Sequence, residues 1–205
     1  MLDGVMRAAI VPVLDRLGAQ LAARGVSPHQ VTLAGCLSAV AMTGAVAAGA
    51  LSLALALLFL SRLADGLDGA VARQSGISDF GGFLDIVCDF VFYAGLPLGF
   101  ALMLPETNAL PSAVLLASFY LNAASFLGFA IMAEKRGLTT TVRGPKSLYV
   151  TTGLAEGTET ILVFCAMLLW PTAFAALAYG FSALCLITCM ARILLAYRVF
   201  AGDRT

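Results

Sequence analysis

Charge is scarce in this 205-residue chain: Asp, Glu, Lys and Arg make up 12% of it, against 60% hydrophobic residues. That balance, with a mean hydropathy of +0.95, excludes an ordinary soluble domain, because so short a chain could not bury that much apolar surface. The N-terminus lacks the compact apolar block and small-residue cleavage site of a signal peptide, so no cleavage is expected. Metal-ligand spacing is missing from the cysteines. Cys36, Cys88, Cys165, Cys185 and Cys189 lie in apolar stretches and read as small buried residues. The formal net charge is zero, so the information lies in where the few charges fall.

Long apolar runs are what the chain does have. Six spans are expected, at about 31–49, 51–74, 80–104, 109–135, 148–169 and 172–200, each with the ~20 apolar residues that a bilayer requires. Ahead of them, residues 2–24 show a helical pattern with Ile10, Val13, Leu14, Leu17 and Leu21 on one face and Arg16, Gln20 and Arg24 on another. This reads as a helix lying in the membrane interface. Gly25 closes it. Ser27 then suits a helix N-cap, Pro28 the first helical position, and Gln30 completes a capping box. The predicted fold class is therefore all-α integral membrane, with an interfacial helix over 1–26 and a six-helix transmembrane domain over 27–205.

The short connections after the first, third and fifth spans contain no Lys or Arg. The basic residues fall on the opposite side: Arg7, Arg16 and Arg24, then Arg62 and Arg73, then Lys135, Arg136, Arg143 and Lys146, then Arg192, Arg198 and Arg204. By the positive-inside rule both termini are expected on the cytoplasmic side. The second span, as one continuous helix of ~36 Å, exceeds the ~30 Å hydrocarbon core. Its acidic end is thus expected at the cytoplasmic interface of a bacterial-type inner or cell membrane.

That acidic end begins the run SRLADGLDGAVARQSGISDFGGFLDIVCDF, which holds Asp65, Asp68, Asp85 and Asp89. A charge in a bilayer costs about 3 kcal/mol on insertion scales, so such groups usually face a partner, a cavity or a substrate. On helices, Asp65 and Asp68 are i,i+3 neighbours and Asp85 and Asp89 are i,i+4 neighbours, so each pair projects from one face. The short link between them predicts two antiparallel neighbouring helices whose carboxylates converge. Four acids together require a cation, and an all-oxygen set suits Mg²⁺ or Mn²⁺ rather than zinc. Two ions about 3.5–4 Å apart would suit a diphosphate. Gly69, Ala72 and Gly81 lack the side chains that would keep a nucleotide or partner helix from the backbone, and Arg73 offers a cation to phosphate. Asp79 reads as an ordinary loop acid and Gly66 as a helix-packing residue.

The pattern Asp65-x-x-Asp68-Gly69-x-x-Ala72-Arg73, followed by Gly81-x-x-x-Asp85-x-x-x-Asp89, closely resembles the signature of the CDP-alcohol phosphotransferases. The resemblance implies a membrane enzyme, commonly homodimeric, that transfers a substituted phosphoryl group from a CDP-linked lipid donor such as CDP-diacylglycerol to a small alcohol acceptor and releases CMP. It implies Asp65, Asp68 and Asp85 as metal ligands, and Asp89 as the general base that also touches metal. Gly69, Ala72 and Arg73, with Gly81 beside them, resemble the nucleotide-binding positions. Seven residues separate Arg73 from Gly81 where the family usually has eight, and the aspartates are still expected to converge. Pro28-His29 stands ahead of Thr32 where members often carry Pro-Asn, and His29 reads as a solvated helix-start residue. Arg143, Lys146 and Glu156, with Glu159 nearby, are candidates for an acceptor pocket. Gly95 and Gly99 form a G-x-x-x-G hint of helix association.

Two other classes use comparable chemistry. Intramembrane prenyltransferases bind diphosphates through Asp and Mg²⁺, but generally through two separated Asp-rich motifs. Cation transporters place acids at the midplane, often in repeated halves, and the second half of this chain has no comparable acidic run. No nucleic-acid partner is expected.

Overall fold

The computed structural model describes residues 3–137 and 157–201, with side chains from residue 11 onward. Among these residues the elements are helical: α1 (Asp3–Ala23), α2 (Pro28–Ala47), α3 (Leu51–Ser75), α4 (Asp79–Met103), α5 (Pro105–Lys135), α6 (Gly157–Leu169) and α7 (Phe174–Phe200). A 3₁₀ turn, Pro171–Ala173, leads into α7. The expected spans match α2, α3, α4, α5 and α7 to within four residues at each end. The fifth span is described only from Gly157, and its earlier part lies outside the described residues. Among the described residues four segments, Pro28–Ala47, Asp79–Met103, Pro105–Lys135 and Pro171–Phe200, are long and apolar enough to cross a membrane. α3 has the length as well, at 25 residues, but carries Arg62, Asp65, Asp68 and Arg73 from its middle onward.

The helix starts follow local chemistry. Ser27 and Gln30 form the capping box at α2: Gln30 N donates to Ser27 Oγ at 3.3 Å, and Ser27 N donates to Gln30 Oε1 at 2.9 Å. Ser27→Ala is expected to lower stability by about 1 kcal/mol, read as a modest fall in thermal midpoint in detergent with activity retained. Between α3 and α4 the link is only three residues, 76–78. Gly76 makes it possible with φ of +112°, a conformation that side-chain-bearing residues rarely adopt, and Ser78 Oγ then accepts from Gly81 N at 3.0 Å. Asp79, expected as a loop acid, is instead the first residue of α4, where a negative charge complements the helix N-terminus.

α1 packs on α3. A Cβ at Gly18 would stand 2.7 Å from Ala70 Cβ, and one at Gly66 would stand 2.8 Å from Leu14 Cδ1. Gly66 thus serves helix packing, as expected. The predicted apolar face of α1 divides: Leu14 and Leu21 are half-buried, while Val13 and Leu17 are exposed.

α2 is the central element, packing on both α3 and α4. The short link predicts α3 and α4 as direct neighbours, yet their backbones make few close approaches, because α2 lies across both. Small residues let it do so. A Cβ at Gly35 would meet Ala64 Cβ at 3.0 Å, one at Gly95 would collide with Thr43 Oγ1, and one at Gly99 would stand 2.9 Å from Thr43 O. The G-x-x-x-G of α4 is therefore an intramolecular seam against α2. The core beneath is aromatic and aliphatic: Met42, Leu58, Phe92, Leu96, Phe100, Phe164 and Phe174 are fully buried, with Phe100 and Phe174 stacked at 4.1 Å.

α5 connects this core to α7. Arg192 of α7 donates to Asn122 O at 3.0 Å and to Ser125 Oγ at 2.7 Å on α5. Arg136, just past α5, donates to Phe200 O at 2.8 Å and Val199 O at 3.3 Å. A cation there satisfies the orphan carbonyls at the C-terminus of α7.

Candidate active site

All four predicted aspartates border one cavity, closed on its third side by Thr32, Gly35 and Cys36 of α2. Asp65, Asp85 and Asp89 come closest: one carboxylate oxygen from each lies within 4.8 Å of the others. The three-residue link accounts for this convergence. With seven residues between Arg73 and Gly81, the four aspartates still border one cavity.

Asp68 stands slightly apart. It is buried, and its Oδ2 accepts from the Thr32 hydroxyl at 2.6 Å, the length of a hydroxyl–carboxylate hydrogen bond. Thr32 lies in the first turns of α2, where its hydroxyl also lies 3.1 Å from Pro28 O. Cys36 and Cys88 supply a small, weakly polar part of the wall, and all five cysteines are free.

Sequence reasoning missed the cation at the centre. Arg62 Nη1 donates to Asp89 Oδ1 at 2.8 Å and lies 3.6 Å from Asp65 Oδ2. Its guanidinium carbon sits 3.7 Å from the centroid of the Phe92 ring. The one available signal was its i,i+3 spacing to Asp65 within an apolar stretch. Its reach to Asp89 crosses between helices and leaves no mark in the chain.

The residues expected to hold nucleotide do not line the acidic cavity itself. Arg73 turns to α1, where its Nη2 and Nε donate to Asp15 Oδ1 at 2.6 and 3.2 Å. Asp15 is a second residue that the sequence did not mark. Beside Gly69 the nearest neighbour to an added Cβ is Arg73 Nη1 at 3.6 Å, and at Gly81 it is Ser78 Oγ at 3.0 Å with His29 Nε2 at 3.8 Å. Ala72 is half-buried on α3. His29, expected to be solvated, is half-buried and stacks on Phe80 at 5.4 Å. Arg143, Lys146 and Glu156 lie outside the described residues, while Glu159 stands in the first turn of α6.

The donor set is chemically consistent. Carboxylate oxygens at this separation suit a hard divalent cation, and the cavity sets four acids against one guanidinium. Fold and cavity together define an integral membrane protein built around an oxygen-donor site. Residues 26–201 match the sequence model of the CDP-alcohol phosphatidyltransferases, and the chain belongs to this family of phosphotransferases. Inner membrane protein YnjF of Escherichia coli is 43% identical over 193 residues, covering 94% of each chain. Archaetidylinositol phosphate synthase of Pyrococcus horikoshii is 36% identical over 98 residues, 47% of this chain and 52% of that one. Among solved structures, Mycobacterium tuberculosis phosphatidylinositol phosphate synthase (PgsA1) with CDP-DAG bound has the same fold, with a TM-score of 0.73 at 22% identity, covering 95% of this chain and 98% of that one. The same enzyme in complex with manganese and citrate gives a TM-score of 0.74 at 22% identity, covering 94% and 93%. Family membership sets aside the prenyltransferase and cation-transporter readings.

Proposed function

We propose that this protein transfers a phosphatidyl group from a CDP-diacylglycerol-type donor to a phosphorylated small alcohol, in a reaction dependent on Mg²⁺ or Mn²⁺ that releases CMP. The observation that carries the reading is the approach of Asp65, Asp85 and Asp89 to within 4.8 Å, on a sequence of this family. The manganese complex and the CDP-DAG complex of the mycobacterial enzyme support the metal and the donor. The names of that enzyme and of the archaeal relative favour inositol phosphate as the first acceptor to try.

In this reading Asp65, Asp68 and Asp85 would hold the metal, as two ions, and Asp89 would reach its edge. Bound there, divalent ions would neutralise the diphosphate and the charge that develops on the leaving phosphate oxygen. Gly69, Ala72 and Gly81 leave room for the nucleotide, and Arg73 would exchange its contact with Asp15 for a phosphate oxygen. Asp89 takes the proton of the acceptor hydroxyl. The acceptor oxygen then forms its bond to the lipid-linked phosphorus as the bond from that phosphorus to the CMP oxygen breaks, and CMP departs with the electron pair. Thr32 keeps Asp68 oriented throughout. Arg143, Lys146 and Glu156 are assigned to the acceptor from chain position and charge.

The topology belongs to the same reading: α1 in the interface, six crossing helices (α2, α3, α4, α5, the segment ending in α6, and α7), and a homodimer. The charge distribution supports cytoplasmic termini and a cytoplasmic active site, where a lipid donor meets a soluble acceptor. The test uses protein purified in detergent, CDP-diacylglycerol, metal, and a panel of inositol phosphate, glycerol 3-phosphate, inositol and serine. CMP and product lipid are followed by mass spectrometry. CMP release that needs both metal and one of the phosphorylated acceptors is expected. Release without metal, or none with any acceptor, refutes the proposal.

A further inference from the structure

We infer that Arg62 is a resident counter-cation of the aspartate cluster, holding it together in the absence of metal and competing with the metal for Asp89 and Asp65. The inference rests on the metal reading above and concerns a residue outside the family signature quoted for this chain.

Geometry supplies the first argument. Arg62 lies one turn before Asp65 on α3, and its guanidinium reaches across to α4, 2.8 Å from Asp89 Oδ1 and 3.6 Å from Asp65 Oδ2. These are two of the three carboxylates that approach within 4.8 Å. A divalent ion held by Asp65 and touched at its edge by Asp89 needs carboxylates that already have a cationic partner. Arg62 and metal therefore act against one another for the same negative charge.

Burial supplies the second. The Arg62 side chain is only 14% exposed, and its Nε is buried without a hydrogen-bond partner. A buried donor left unsatisfied is costly, so hydrogen bonding alone does not explain the placement. Attraction to the acids and to the face of Phe92 does. Phe92 is itself fully buried and braced by Phe164 at 5.7 Å and Tyr93 at 5.4 Å. The ring is a rigid shelf that keeps the guanidinium between α3 and α4. Without that cation, carboxylates this close would repel one another in a site of low dielectric.

Linkage then dictates the outcome of removing it. If Arg62 stabilises the metal-free cluster more than the loaded one, its loss must tighten metal binding by the same factor. Arg62→Gln preserves much of the volume and can still donate to a carboxylate, but carries no charge. In detergent, with Mn²⁺ followed by electron paramagnetic resonance and no substrate present, this variant is expected to bind Mn²⁺ about tenfold more tightly than the wild type. Its thermal midpoint should fall without metal and recover on adding Mn²⁺. Arg62→Lys, which keeps the charge but loses the planar fork, is the milder companion should the glutamine variant fail to fold. Its Mn²⁺ affinity should rise by about two- to threefold on the same linkage.

Unchanged or weaker Mn²⁺ binding in the folded variants overturns the inference and leaves a structural or substrate-contacting arginine. So does a fall in thermal midpoint that Mn²⁺ does not repair. Failure of the wild type to bind Mn²⁺ at all is a distinct result, which brings down the metal reading and this inference with it.

Discussion

Asp89→Asn is expected to lower CMP release by about 10²- to 10⁴-fold, the usual worth of a general base, while leaving the protein folded. The substitution is nearly isosteric. The amide oxygen can still accept from Arg62 Nη1, which now lies 2.8 Å from Asp89 Oδ1, so the contact between α3 and α4 persists in weakened form. What is lost is the ability to take a proton. The measurement pairs steady-state CMP release with thermal unfolding and Mn²⁺ binding on the same preparation. A large fall in kcat with Mn²⁺ binding largely retained assigns the proton to Asp89. Activity within a few-fold of wild type removes Asp89 as the base and leaves the metal ligands standing. Abolished Mn²⁺ binding makes Asp89 primarily a ligand, as its proximity to Asp65 and Asp85 permits.

The largest effect on folding is expected at the seam between α2 and α4. Gly99→Leu places a branched side chain where even a Cβ would stand 2.7 Å from Val46 Cβ and 2.9 Å from Thr43 O. A neighbouring side-chain tip can turn away; a helix backbone cannot. Overpacking typically costs about 1–3 kcal/mol, and this site belongs at the upper end, since relief requires the two helices to separate. In a membrane, close packing of small residues is itself the force that joins helices. The variant should yield little monodisperse protein in detergent, with a lowered thermal midpoint and lost activity, because α2 also carries Thr32 to the cavity. Gly44 offers the control: it lies on α2, yet an added Cβ there meets nothing within 4 Å. Gly44→Ala should leave yield and midpoint unchanged. Both substitutions raise helix propensity, so equal damage at both positions would mean that close packing at the seam does not govern the result.

Much of the site was legible because its chemistry is written at helical spacing. The pairs Asp65/Asp68 and Asp85/Asp89 each share a face through periodicity alone, and the short link ensures that the faces lie at the same end of their helices. The glycines at 95 and 99 likewise announced a close helix contact, though not its partner. Arg62 escaped notice because it looked like a boundary charge, and a boundary charge and a buried counter-ion have the same local sequence. Arg73 was marked as a cation for phosphate, whereas its pairing with Asp15 depends on how α1 lies along α3. No periodicity within either helix records that.

What the chain alone determined is the membrane class, nearly all the helix boundaries that the structure describes, the capping at Ser27 and the identity of the four acids. Each of these follows from interactions within a few residues, where the backbone's own geometry dictates who meets whom. Tertiary structure alone decided that α2 lies across α3 and α4, that Thr32 holds Asp68, and that Phe92 supports a guanidinium between the acids. Those arrangements depend on which helix faces meet, and that choice is made by packing volume between segments far apart in the chain. The anionic cavity is thus a property of the sequence, while its internal cation is a property of the fold.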